Sequence, residues 1–312
     1  TNITSLSIYT IPYDMANDED LELGYYDIPL VDYPITIEED EVLLYRYKGE
    51  SETVVIPDTY IVNGNEYTVK AISSYDLYFY DDDKDIEYDE ALGLFQGYHF
   101  DKETIKNVYF DNSLMLLGID WDDTEEWTVG YMNNTFYNCS SLINAPVIPS
   151  SITNMQYTFS GCSSLVNAPV IPNSVTEMDY TFSGCSSLVN APVIPSSVTN
   201  MNSTFSGCSS LVNAPVIPSS VTYMAFTFYG CSSLVNAPVI PSSVTNMGST
   251  FSGCSSLAGT VTIEARNVSR SWSTTSHPFY GAGTVTVRAP SGSTTYNSLN
   301  TYKPSNVTLV GY

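Results

Sequence analysis

The sequence predicts a β-rich solenoid of 23-residue coils, with short parallel strands, minimal helix and a cap at each end. Three observations predict it. Cys139, Cys162, Cys185, Cys208, Cys231 and Cys254 recur at that fixed interval. The text between them barely changes over five complete units, 139–161 to 231–253, with a sixth begun. Each unit offers the same apolar set, which in the second is Leu165, Ala168, Val170, Ile171, Val175, Met178, Phe182 and Cys185. Burying so few side chains cannot offset the entropy of ordering a whole coil. A lone unit must therefore share strand hydrogen bonds and core with both neighbours.

Within a coil, Pro169 and Pro172 punctuate the chain and Ser-rich turns flank them. β-branched residues predict a short strand near Val166–Ile171 and a second near Ser174–Met178. Phe182 then anchors a tight, single-turn helical segment leading to Cys185. Pro169 cannot donate to a ladder, so these strands are expected to be short or bulged.

The run LxxAPxIPxSVTxMxxTFxGCSS resembles the leucine-rich repeats of BspA-like bacterial surface proteins, the Treponema pallidum type. It is also similar to the repeats of mycoplasma surface lipoproteins, which share the VTxM…F…CSSL order. The resemblance covers about residues 42–290, and TVVIPDTY…EYTVKAI resembles the family's entry unit. It implies a curved, β-lined leucine-rich repeat displayed outside the cell and often described as adhesive. One departure is that family strands read LxxIxIP, whereas here Ala168-Pro169 and an extra residue precede the second proline.

Four regions follow. Residues 1–41 are an acidic, Tyr-rich lead-in or cap, broken by Pro12, Pro29 and Pro34. Residues 42–138 are degenerate repeats. Thr53–Pro57, Tyr67–Ile72 and Ile105–Phe110 read as strands, with a hairpin-type turn signal at Asn63-Gly64-Asn65. Phe95-Gln96-Gly97 echoes the later Phe-x-Gly. Residues 139–257 are the regular repeats. Residues 258–312 are degenerate repeats and a C-terminal cap, with alternating strands at Thr260–Ile263, Thr284–Val287 and Val307–Val310 and a short helix or loop over Ser291–Tyr302.

Net charge is −24, and 31 of the 34 acids but 6 of the 10 bases fall in residues 1–127. An acidic half of this kind repels nucleic acid and anionic membrane. It reads as a solvated face, the alternative being attraction of a basic partner or of calcium. Two acidic insertions, Asp81–Glu90 and Asp120–Trp127, stand where solenoid insertions often form a binding face. Neither is an EF-hand loop, because Ile86 and Leu92 stand where Gly and Glu are required. No run approaches about 18 apolar residues, so membrane insertion is not expected. No signal peptide is visible at Thr1, which says nothing against export. The six cysteines are expected to form a buried, reduced ladder, and none shows zinc spacing.

Catalysis finds little support. The two histidines, His99 and His277, sit in degenerate coils, and no nucleophile elbow, Walker loop or HExxH occurs. Acids on loops are more often solvated than paired as in a glycosidase. No catalytic residue, cofactor or metal is assigned. Variation between repeats is the more useful signal. It clusters around each Met and would align an aromatic and polar stripe, with Tyr131, Tyr137, Tyr157, Tyr180, Tyr223, Phe226 and Tyr229 as candidate binding residues. Drift at exposed positions explains the same variation. The column of Asn144, Asn167, Asn190, Asn213 and Asn236 is expected to bond from coil to coil. The expected function is a non-enzymatic, monomeric binding module at the cell surface or secreted, recognising an extracellular protein or glycan. The alternative is a structural spacer with no ligand of its own.

Overall fold

The computed structural model describes residues 130–268, 272–273 and 275–312, together with the backbone of eight earlier strands. These are Ile35–Glu38 (β1), Glu41–Leu44 (β2), Thr53–Val55 (β3), Thr59–Val62 (β4), Asn65–Ser73 (β5), Asn107–Tyr109 (β6), Met115–Ile119 (β7) and Trp127–Val129 (β8). Residues 1–34, the acidic stretches Asp81–Glu90 and Asp120–Glu126, the Phe95–Gly97 echo and His99 lie outside the described residues. The calcium alternative lies there with them. β2, β5 and β7 pair in parallel, Leu43 opposite Ala71 and Ala71 opposite Met115. β3 and β6 are also parallel, with Val54 opposite Val108. β4 and β5 are antiparallel with Val62 opposite Asn65, the two-residue spacing that an Asn-Gly pair favours.

From residue 130 to 257 the expected strands shrink to single bridges. One row joins Asn144, Asn167, Asn190, Asn213 and Asn236; the other joins Tyr131, Asn154, Glu177, Asn200, Tyr223 and Asn246. The cause is the proline pair of each coil. Pro169 and Pro172 remove two of the amides a strand over Val166–Ile171 and its exit would need. Side-chain exchange along the Asn row occurs where Asn236 Nδ2 donates to Asn213 Oδ1 at 3.3 Å.

The segment after each Met is not the expected helical turn. Alternate amides bond to the next coil: Met155 to Glu177 O, Tyr157 to Asp179 O, Phe159 to Thr181 O and Gly161 to Ser183 O, at 2.7–3.0 Å. Those between bond three residues back, as Thr158 does to Met155 and Ser160 to Tyr157. Tyr157 at φ 54° and Gly161 at φ 79° are left-handed, which breaks any right-handed helical run. Amides on the far side donate backwards, Ser164 to Ser140 O and Thr176 to Thr153 O. Every coil is thus tied both ways by turn residues rather than by strands.

Side chains complete the ties in columns. Thr158 Oγ1 donates to Met132 O and Met155 O, both at 2.8 Å. Ser197 Oγ donates to Val175 O at 2.6 Å, which accounts for the repeated Ser-Val-Thr. All six cysteines are buried thiols that form no disulfide. Cys162 Sγ donates to Phe136 O at 3.0 Å and Cys185 Sγ to Phe159 O at 3.1 Å, so the thiols also serve as weak donors. Burial pushes the thiols of Cys162, Cys185, Cys208, Cys231 and Cys254 up, the last to about 12. Phe136, Phe159, Phe182, Phe205, Phe228, Phe251 and Phe279 form one buried stack, with centroids 5.2–5.7 Å apart.

One apolar position is not core. Val170 is 87 % exposed while Ile171 is 5 % exposed. Neighbours in an extended segment face opposite sides, so only one of the two can point inward.

Strands return after residue 258. Gly259–Thr262 (β9), Val285–Ala289 (β10) and Val307–Gly311 (β11) make a parallel sheet, with β10 central. Ile240 bridges Ile263, so the coil path runs on into this sheet. Helix Thr294–Thr301 (α1) is capped by Ser293, whose hydroxyl accepts the Tyr296 amide, and it buries Thr295 and Leu299. His277 is fully buried. Its Nδ1 accepts the Phe279 amide, which leaves the proton on Nε2, 3.3 Å from Leu299 O. Burial holds this ring down to about 4, so it is neutral and structural.

Candidate binding surface

The position two residues after each Met carries most of the aromatic variation, and its backbone is fixed by the coil-to-coil bonds. Asn134, Tyr157, Tyr180, Ser203, Phe226 and Ser249 all have φ between 53° and 59°. Gly and Asn suit this region; Tyr and Phe are strained there. The amides of Tyr157, Tyr180, Ser203 and Phe226 each donate to the next coil at 2.9 Å, which holds the conformation.

The candidate aromatic residues fall into two groups rather than one stripe. Tyr157 and Tyr180 stack at 4.5 Å with planes 6° apart. Tyr137 meets Tyr157 edge-on at 6.4 Å. Two coils further, Phe226 and Tyr229 meet edge-on at 6.0 Å and are 38 % and 47 % exposed. Ser203, buried, interrupts the column between the groups. Tyr131 and Tyr223 are half-buried members of the bridge row, not of either aromatic pair. Tyr280, which follows Phe279 as Tyr229 follows Phe228, is 44 % exposed and extends the second column.

One carboxylate, Asp179, lies beside Tyr157, and a second, Glu177, lies beside Asp179. Asp179 Oδ2 accepts from Asn200 Nδ2 at 2.9 Å and Gln156 Nε2 at 3.4 Å, and Oδ1 accepts the Asn202 amide at 3.2 Å. Glu177 Oε1 accepts from Thr199 Oγ1 at 3.3 Å. Burial, and then the Glu177 charge, push Asp179 up to about 6. Burial raises Glu177 as well. Tyr157 is raised by burial first, then by its neighbours Tyr180 and Asp179. The sequence has no Lys, Arg or His between Lys106 and Arg266, so no residue of the regular coils neutralises this pair. A signal was present in the text: Glu177 and Asp179 are the only acids between Glu126 and Glu264. Among the described residues no group of three His, Cys, Asp or Glu is placed to hold a metal, and no helix is long and apolar enough to cross a membrane. What the patch can do is recognise: stacked rings take an apolar or cationic face, and two desolvated carboxylates take a donor.

Stacked coils and a continuous core built from the same columns define a leucine-rich repeat solenoid. Residues 131–271 match the family described as BspA type leucine rich repeat region, in six copies. It is this stretch of the chain, residues 131–271, that is similar to the family's repeats. Several solved structures are similar to the chain, and the first of these shares the fold. A leucine rich cell surface protein from Faecalibacterium prausnitzii is 22% identical with a TM-score of 0.53, the match covering 82% of this chain and 68% of that one. The T. pallidum leucine rich repeat protein is 22% identical with a TM-score of 0.41, covering 75% and 82%. A Bacteroides ovatus leucine-rich repeat protein is 20% identical with a TM-score of 0.49, covering 92% and 76%. No curated protein matches the chain. The matched family is one of repeats, not of enzymes.

Proposed function

We propose that the chain is a non-enzymatic binding module, adhesin-like, displayed at the bacterial surface or secreted. Tyr137, Tyr157 and Tyr180, with Asp179 and Glu177, are its principal contact, and Phe226 and Tyr229 are a second. The observation that carries this reading is the stacked Tyr157–Tyr180 pair, held in a strained conformation beside Asp179 and its neighbour Glu177, which no basic residue of the coils neutralises. The carboxylates favour a protein or glycan presenting an amine or guanidinium against the rings. The surface setting is supported by the likeness to the Faecalibacterium leucine rich cell surface protein. The finer architecture, 23-residue coils throughout with a cap at each end, belongs to the same proposal.

The test is a screen of the full chain against extracellular-matrix proteins and host glycans, alongside Tyr157→Ser/Tyr180→Ser/Phe226→Ser. A specific signal lost in the variant, with circular dichroism unchanged, is the expected result. A signal that survives the substitutions would move the site elsewhere. No signal from either protein would favour the spacer.

A further inference from the structure

We infer that a second face of the solenoid, a row of exposed valines opposite in sidedness to the Ile171 column, docks against the same row of a second copy of this chain. Val147, Val170, Val193, Val216 and Val239 are 59, 87, 87, 86 and 52 % exposed. A parallel row, Ile143, Val166, Val189, Val212 and Val235, is 37–40 % exposed. Between the rows in sequence stand the exposed Asn167, Asn190 and Asn213 and then Ala168, Ala191 and Ala214, partly buried against the core. Isolated exposed valines need no explanation, but contiguous apolar patches above a few hundred Å² mark interaction sites. A fully exposed valine side chain offers roughly 100 Å², and the inner row about 40 Å² per residue. Scaled by these exposures, the two rows present on the order of 550 Å², the per-partner size of a weak rather than a standard interface.

The occupant follows from the shape and charge of the face. Segments 143–149, 166–172, 189–195, 212–218 and 235–241 contain no charged residue, so two copies meet here without local repulsion. Coil steps of about 4.8 Å are identical on both partners, so two rows laid antiparallel about a two-fold axis interdigitate along their length. The row is also finite. In the register of β9, β10 and β11, Val239 is followed by Thr262 and then Arg288, and a charged residue ends the apolar row. A slipped pairing would set valines against that polar end, so the full overlap is preferred and closes as a pair. This stands against the monomer expected from the sequence and does not rest on the binding site proposed above.

Sedimentation velocity of the full chain over about 1–100 μM, the weaker range for interfaces of this size, is the test. A dimer is expected, and because the chain carries −24 it should tighten as salt rises. Val193→Asp should weaken it at least ~100-fold, because it sets like charges together in an apolar contact. Val193→Thr, nearly the same shape, should weaken it less with thermal stability unchanged. Tyr157→Ser/Tyr180→Ser should leave the dimer intact. A monomer at every concentration, or a dimer indifferent to both Val193 variants, would overturn the inference. So would a monomer that sediments with phosphatidylcholine vesicles and loses this in Val193→Asp, which would give the face to lipid.

Discussion

Between Ile240 and Ile263 the chain passes from one way of joining coils to another. In the last regular coil Pro238 and Pro241 stand either side of Val239-Ile240. One coil later the same register holds Val261 and Glu264, and the Glu264 amide donates to Ile240 O at 2.8 Å. With an amide also restored at residue 261, inside β9, β9 and β10 form true strands. Without it, the regular coils rely on single bridges and on the turn segment after Met. The lesson is that the repeat sequence does not encode a sheet. It encodes a spine of turns, with Thr, Ser and Cys side chains filling in where proline removed donors.

The largest expected effect lies in the shared core. Phe205→Ala removes one ring from the continuous stack and should cost about 3–5 kcal/mol. Val193→Ala, on the exposed row, should leave denaturant melting nearly unchanged. If the two cost the same, the inside and outside of the coil have been misassigned.

Acid separates the two regions by sign. His277 has a folded pKa of about 4, below the ordinary histidine value, so the unfolded chain takes up the proton first. Its contribution is constant above about pH 6.5 and is lost as pH falls toward about 4, on the order of 3 kcal/mol. Asp179, at about 6, lies above an ordinary aspartate, so the folded chain takes its proton first. There stability rises as pH falls from about 6 toward about 4. Equilibrium unfolding of His277→Gln should lose the falling limb, and that of Asp179→Asn the opposing one.

A smaller change sharpens the comparison directly. Pro238→Val/Pro241→Glu copies the residues of the following coil and should extend the sheet by one strand. The new residue-241 amide should become protected in hydrogen exchange, with stability changing by about 1 kcal/mol or less. Smallest of all, Ser203→Gly should relieve the left-handed strain at φ 53° and raise stability by up to about 1 kcal/mol in melting experiments.

The repeat, the Phe and Cys columns and the C-terminal strands were all legible, because each is a periodic apolar or β-branched signal. The strand content of the regular coils was not, since Val170-Ile171 looks like strand while its flanking prolines decide otherwise. The inward place given to Val170 failed for a reason the text contained, the alternation of sides along an extended chain. The aromatic columns were readable as variation, but their division at Ser203, and the approach of Asp179 to Tyr157 from the next coil, needed coordinates. Sequence spacing gives columns; it does not say which neighbouring columns touch.

The most direct test of the binding surface is affinity against pH, across about 5 to 8, for the tightest partner found in the matrix and glycan screen, using the native chain and Asp179→Asn. Asp179 loses its charge below about 6. The expected result is native binding that weakens through that value, and Asp179→Asn binding that is weak and without that step. A native profile with no inflection there, or one unchanged by Asp179→Asn, would contradict the assignment of the Tyr157, Tyr180 and Asp179 patch as the contact.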